Sequence, residues 1–245
     1  MEESLKALEH AARFAGQKGV SKFTRFLDPA QAISAVQLAR EHGAAFSCWG
    51  GFEQAERVIG CFHPPYEDVA REEFPLVCLH SPYTAKFCSL SHRDLLGAFM
   101  ALGLTRDCVG DMIIVDADIY LFATAQTADF IAQSLTGAGK APLRFCVLHD
   151  VPPMPQPKGT TFHAVVSSLR LDAVVAAAYR LSRSESAELI RAGVVKADHL
   201  VCDRVDAVLQ EGALLSVRGK GRVRLAGVGG MTRKQRIVIT FFRYE

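Results

Sequence analysis

Hydrophobic positions along the chain change period several times, and each change marks an expected element. Over residues 2–14 and 28–42 apolar side chains recur at helical spacing. Asp28-Pro29-Ala30-Gln31 supplies an N-cap, a proline at the first helical position and a capping-box glutamine. Ile33, Val36 and Ala39 continue that helix, and Gly43 stops it. Trp49-Gly50-Gly51 then marks a turn or short strand, so residues 1–56 read as an N-terminal helical region. Short apolar runs at 57–62 and 74–80 predict strands. Ser91-x-x-Asp94 opens a helix carrying Leu95, Leu96, Phe99, Met100 and Leu102. Two β-rich runs flank Asp116-Ala117-Asp118, a hairpin signal; a helix over 126–135 and a strand over 143–148 complete the set. From Phe74 the order is β-α-β-β-α-β, the split pattern of ferredoxin-like domains, which many RNA-recognition domains share.

Residues 150–160, DVPPMPQPKGT, contain four prolines and predict an extended connector, placed at 151–162. Beyond it come a strand at 163–168, two short helices over 172–179 and 184–192, and β-rich runs at 194–196, 214–217, 222–225 and 236–242. The expected fold class is therefore α+β. An N-terminal helical region (1–56) is followed by a ferredoxin-like domain (57–150), the connector, and a C-terminal domain (163–245).

Charge changes this picture. The formal net charge is only +2, but residues 1–167 hold 14 Lys+Arg against 18 Asp+Glu, net −4, and residues 168–245 hold 14 against 8, net +6. A basic domain joined to an acidic one suits a polyanionic partner. At 245 residues and 49% hydrophobic the chain can bury a full core. No apolar run is long enough for a membrane span, and the acidic start predicts no secretory signal. Seven cysteines (48, 61, 78, 88, 108, 146, 202) stand singly without a CxxC, which speaks against a disulfide framework or zinc knuckle and for a reducing, cytoplasmic location.

Three motifs resemble catalytic signatures and fall short of them. His92-Arg93-Asp94-Leu95 lacks the asparagine four residues after Leu95's loop position demands, position 99 being Phe, and no Asp-Phe-Gly follows. Gly137-Ala138-Gly139-Lys140 lacks both the leading glycine, position 134 being Ser, and the hydroxyl residue after the lysine, position 141 being Ala. Arg170-Leu171-Asp172 resembles the Arg-Leu-Asp of some pseudouridine synthases, yet too little chain follows it for a catalytic domain, and Asp172 reads as a carboxylate favourable to a helix start. The histidines show no metal-ligand spacing. No catalytic residue, metal ligand or cofactor is expected.

A phosphate-binding constellation does stand out. Ser182-Arg183-Ser184-Glu185 is a capping box that places Arg183 at the first helical position beside Ser184. Free backbone N–H groups, the helix dipole and a guanidinium together suit a phosphate. Arg180 lies just before, and Arg170 starts the preceding helix. A second patch comes from Arg218, Lys220, Arg222 and Arg224, which alternate with apolar Val217, Val223 and Leu225. In a strand that period puts the basic side chains on one face; Gly219 and Gly221 predict a turn within it. Arg233, Lys234 and Arg236 add charge beyond Gly229-Gly230.

The stretch from Ser168 to Tyr244, with SLRLDAVVAAAYRLSRSESAELIRAGVVK, LLSVRGKGRVRL and GGMTRKQRIVITFFRY, resembles the S4 RNA-binding domain. Together with GGFEQAERVIGCF (50–62) and HRDLLGAFMALGLTRDCVGDMIIV (92–115), it resembles the YlmH family of bacterial S4-domain proteins. The resemblance implies a central RRM-like domain and a C-terminal S4 (α-L) domain. It implies a non-enzymatic factor in ribosome quality control that docks on the large (50S) subunit. Its expected partners are ribosomal RNA, obstructed peptidyl-tRNA and other quality-control factors, and its expected role is to support C-terminal tailing of stalled chains. It also points to Arg170 and Arg183 as RNA contacts, Arg180 competing with Arg183 because the match needs a one-residue insertion. Asp198-His199 stands where S4 domains often carry Asn; the aspartate either weakens a phosphate contact or forms an Asx-type turn. The central domain lacks the aromatic-rich RNP1 signature. The competing readings are an RNA-modifying enzyme and a cell-division accessory, each using the S4 domain for targeting.

Overall fold

The computed structural model describes residues 2–84 and 89–245, so Cys88 lies outside the described residues. Six α-helices and four antiparallel sheets occur among them, in two units, Met1–Pro155 and Gln156–Glu245.

The first unit opens with α1 (Glu2–Lys18), β1 (Lys22–Leu27), α2 (Pro29–Glu41), β2 (Ala45–Trp49) and β3 (Val58–His63), and its strands form a sheet in the order β1-β3-β2. The expectation of an N-terminal helical region is thereby corrected to two helices on a three-stranded sheet. Phe23, Thr24 and Phe26 favour a pleated surface, and the run is short, closed by the cap at Asp28. That cap forms as read: Asp28 Oδ1 accepts from the Gln31 amide and Gln31 Oε1 from the Asp28 amide, each at 2.9 Å. The strand expected to open the central domain is β3, and it completes this sheet at its centre. It is buried on both faces, which explains its unbroken apolar run. One face meets the helices through Leu8, Ala12, Ala35 and Ala39 against Leu27 and Phe62.

The unit continues with β4 (Leu76–Pro82), α3 (His92–Ala101), β5 (Val109–Val115), β6 (Asp118–Thr124), α4 (Ala125–Ser134), a small hairpin of β7 (Gly137–Ala138) and β8 (Ala141–Pro142), and β9 (Cys146–Leu148). The sheet order is β5-β6-β4-β9. The turn between β5 and β6 is Asp116-Ala117, with Asp116 at φ 52°. Gly139-Lys140 makes the β7–β8 turn, so the phosphate-loop look-alike is a hairpin tip. Helices α3 and α4 cover one face through Leu95, Phe99 and Ile131 on Leu79 and Leu121. The opposite face is covered too: Cys78 and Phe122 are buried in one cluster with Phe26, Ile59, Cys61 and Phe74.

The second unit comprises β10 (Gly159–Val166), α5 (Leu171–Tyr179), α6 (Arg183–Arg191), β11 (Val195–Ala197), β12 (Leu200–Val201), β13 (Leu214–Val217), β14 (Gly221–Met231) and β15 (Ile237–Tyr244). Its six strands run β10-β15-β14-β13-β11-β12. β10 starts at Gly159, four residues before the expected strand, and pairs with β15 along its length, so the connector is shorter than 151–162. A Cβ at Gly159 would stand 2.2 Å from the Arg243 carbonyl oxygen and 2.6 Å from the Phe242 ring, so only glycine fits against β15 there. Leu171, Val174, Val175 and Ile190 from the two helices pack on Leu215, Val217, Val223, Leu225 and Phe241 from the sheet.

Candidate nucleic-acid interface

The helix pair α5–α6 positions the first group of arginines. Ser182 caps α6: its Oγ accepts from the Glu185 amide at 3.1 Å, and Glu185 Oε2 accepts from the Ser182 amide at 2.7 Å. The Ser182 amide, and then its hydroxyl, hold the Glu185 carboxyl below its ordinary range, and Lys220 adds a smaller pull. The β13–β14 turn that carries Lys220 thus belongs to the electrostatic surroundings of the α6 start. Arg183 is the first residue of α6, and Ser184 follows it, exposed.

Asp172 organises the cluster, a role the sequence reading missed. Its side chain is buried, 10% exposed. Oδ2 accepts from Arg183 Nη2 at 2.5 Å, Oδ1 faces Arg170 Nε at 3.4 Å, and Oδ1 also accepts from the Ala173 amide at 2.9 Å. Burial alone would raise its pKa; the Arg183 hydrogen bond and the charges of Arg183 and Arg170 outweigh it and hold the carboxyl below the usual range. The Ser186 hydroxyl, fully buried, donates to the Asp172 carbonyl at 2.9 Å and locks α6 against α5. Both arginine side chains remain about half exposed, 45% for Arg170 and 48% for Arg183. One carboxylate between two guanidiniums fixes them while leaving donors for an external anion. The only sequence signal was the Arg-Leu-Asp order itself, since Arg183 reaches Asp172 across eleven positions.

Arg180 is the C-cap of α5 in the left-handed conformation, φ 55°, and its amide bonds back to Ala176. It is exposed and has no part in the Asp172 cluster. Arg218 and Lys220 flank Gly219 in the β13–β14 turn, closed by the Lys220 amide on the Val217 carbonyl at 2.9 Å. They stand on the turn that Gly219 and Gly221 predict, and so do not share the strand face of Arg222 and Arg224. Those two do project from β14 on the side opposite buried Val223 and Leu225. The Arg224 Nε donates to the Tyr244 hydroxyl at 2.8 Å, and the Arg222 guanidinium lies 5.2 Å from the Tyr244 ring centre. The predicted residues thus form two groups, one on the helices and adjoining turn, the other on the outer sheet face.

Asp198 is structural. With His199 it takes positive φ, 46° and 69°, in the β11–β12 hairpin, and its Oδ1 accepts from the Leu214 amide at 2.8 Å. In the first unit, the cover over Cys78 and Phe122 takes part of the sheet face on which an RRM would stack bases, while Tyr120 on the same face stays partly exposed. Among the described residues no group of three or more His, Cys, Asp or Glu is placed to hold a metal ion, and no helix is long and apolar enough to cross a membrane.

One unit carries a split β-α-β-β-α-β sheet and the other a basic helix-and-sheet fold with two half-exposed arginines held by one carboxylate, a combination of the RNA-binding type. Comparison with known proteins bears on the family. Residues 70–148 match the family described as "Putative RNA-binding domain in YlmH". The chain is 39% identical over 228 residues to the ribosome-associated protein quality control protein P2 of Bacillus subtilis, covering 91% of this chain and 88% of that one. The chain belongs to the YlmH family. A solved structure titled cell division protein ylmH from Streptococcus pneumoniae shares the fold, with a TM-score of 0.52 over 60% of this chain and 90% of that one, at 22% identity.

Proposed function

We propose that this chain is a ribosome-associated RNA-binding factor that docks on the large subunit, contacting ribosomal RNA and an obstructed peptidyl-tRNA during quality control and C-terminal tailing. In this reading residues 163–245 act as an S4 (α-L) domain and the β4–β9 region as an RRM-like domain. The chain contributes position and no bond-making chemistry, and it works in the cytoplasm with other quality-control factors. The observation that carries the reading is the Arg170–Asp172–Arg183 cluster, two fixed guanidiniums open to solvent on the basic unit. The printed name of the Bacillus relative supports the ribosomal setting.

Binding of this kind is dominated by phosphate contacts and falls steeply with salt. The test is sucrose-gradient co-sedimentation with purified 30S, 50S and 70S particles at low and high salt. The expected result is binding in 50S-containing fractions that salt weakens and Arg183→Ala reduces. Binding to no particle, or binding that Arg183→Ala leaves unchanged, overturns it.

A further inference from the structure

Beside the Asp172 cluster lies a groove of about 230 Å³ whose lining includes both Arg183 and Arg236. Ala173, Ala176 and Ala177 of α5 also line it, together with Ser167 at the end of β10. No Asp or Glu lines the groove. Arg183 is held by Asp172, which does not itself line the groove. Arg236 differs: it is exposed, and among the described residues its guanidinium has no carboxylate partner. Its backbone, however, is fixed. The Arg236 amide donates to Thr232 Oγ1 at 3.2 Å, the Thr232 amide to the Arg236 carbonyl at 2.7 Å, and Gln235 takes φ 54° to close the β14–β15 turn.

We propose that this groove is a seat for an RNA backbone phosphodiester, with Arg236 as the second arginine of the seat beside Arg183. The inference rests on the RNA-binding reading above and deepens it. Two guanidiniums facing one recess favour an anion, and their forked donors match phosphate oxygens. Alanine side chains keep the recess shallow enough for a sugar–phosphate backbone to approach the α5 helix. Nothing aromatic lines the groove, so no base stacks in it.

The test compares the full-length wild type with Arg236→Ala, Arg233→Ala and Arg183→Ala in binding to purified 50S subunits between 50 and 200 mM KCl. Arg233 sits in the same turn, is exposed, and does not line the groove. Losing one phosphate contact lowers the slope of log K against log salt by about 0.9, which reduces the affinity ratio across that salt range about threefold. The expected result is this reduction for Arg236→Ala and Arg183→Ala, with Arg233→Ala close to wild type. Equal effects of Arg236→Ala and Arg233→Ala overturn the seat in favour of diffuse charge, and so does a wild-type slope in Arg236→Ala. In either case the RNA-binding reading survives if Arg183→Ala still weakens binding. No salt-dependent binding by the wild type overturns both.

Discussion

Asp172 binds Arg183 across the α5–α6 junction at 2.5 Å, and its other oxygen faces Arg170. Because the folded protein depresses the Asp172 pKa, this interaction stabilises the fold above the ordinary carboxylate range and is lost as pH falls through the depressed value. Removing one partner of a buried pair costs about 3–5 kcal/mol, but both arginines are half exposed and solvent screens them. Asp172→Asn is therefore expected to cost about 1–2 kcal/mol at pH 7. Urea unfolding followed by circular dichroism at pH 7 and pH 3 checks it. The gap between wild type and variant should be wide at neutral pH and narrow in acid; a gap independent of pH would remove the ion pairs as its source.

Arg180 separates stability from binding. A left-handed C-cap favours glycine, which has no Cβ to strain. The left-handed conformation costs a residue with a Cβ about 1–2 kcal/mol, and glycine's greater unfolded-state entropy offsets about 0.4–1 kcal/mol of the relief, so Arg180→Gly is expected to raise stability by about 0.5–1 kcal/mol. If Arg180 touches RNA, the same variant binds 50S subunits more weakly although it is more stable. Thermal melting and co-sedimentation on one preparation measure both, and a stability loss would show that the arginine side chain itself supports the turn.

Local signals were readable in the sequence and long-range ones were not. The capping boxes at Asp28, Ser91 and Ser182 form as their spacing dictated, because a cap involves only four neighbouring residues. The alternation around Val223 and Leu225 placed Arg222 and Arg224 on the outer face, since strand period is also local. β1 was missed because its pattern is irregular: Phe23 is exposed while Phe26 and Leu27 are adjacent and both buried. The Asp172–Arg183 bond joins two helices, so neither residue's own segment discloses it. Nor does periodicity tell which sheet will cover Cys78 and Phe122.

That covering contact depends on Gly51. It has φ +97°, and a Cβ there would stand 2.3 Å from the Phe122 ring. Gly51→Ala therefore adds backbone strain and overpacking at once, at an expected cost of about 2–4 kcal/mol. Phe122→Leu, which trims the ring, should recover part of the loss in the double variant. Urea unfolding of the four members of this cycle gives the coupling; additive effects would show that Phe122 does not oppose the new methyl group.

The same covered face sets cysteine reactivity. Burial pushes the Cys61 thiol up to about 11 and the Cys78 thiol up to about 12, and both side chains are nearly inaccessible. Only the thiolate reacts with an alkylating agent. At pH 8 iodoacetamide should modify exposed Cys146 rapidly, while Cys61 and Cys78 stay unmodified until urea unfolds the unit. Peptide mapping by mass spectrometry after timed labelling reads each site separately. Because Cys61 lies on β3 and Cys78 on β4, native-state labelling of both at matched rates would mean that the two sheets part as a unit. Labelling of Cys78 as fast as Cys146 would show that the face is open in solution, and Phe122 would then be available for base stacking.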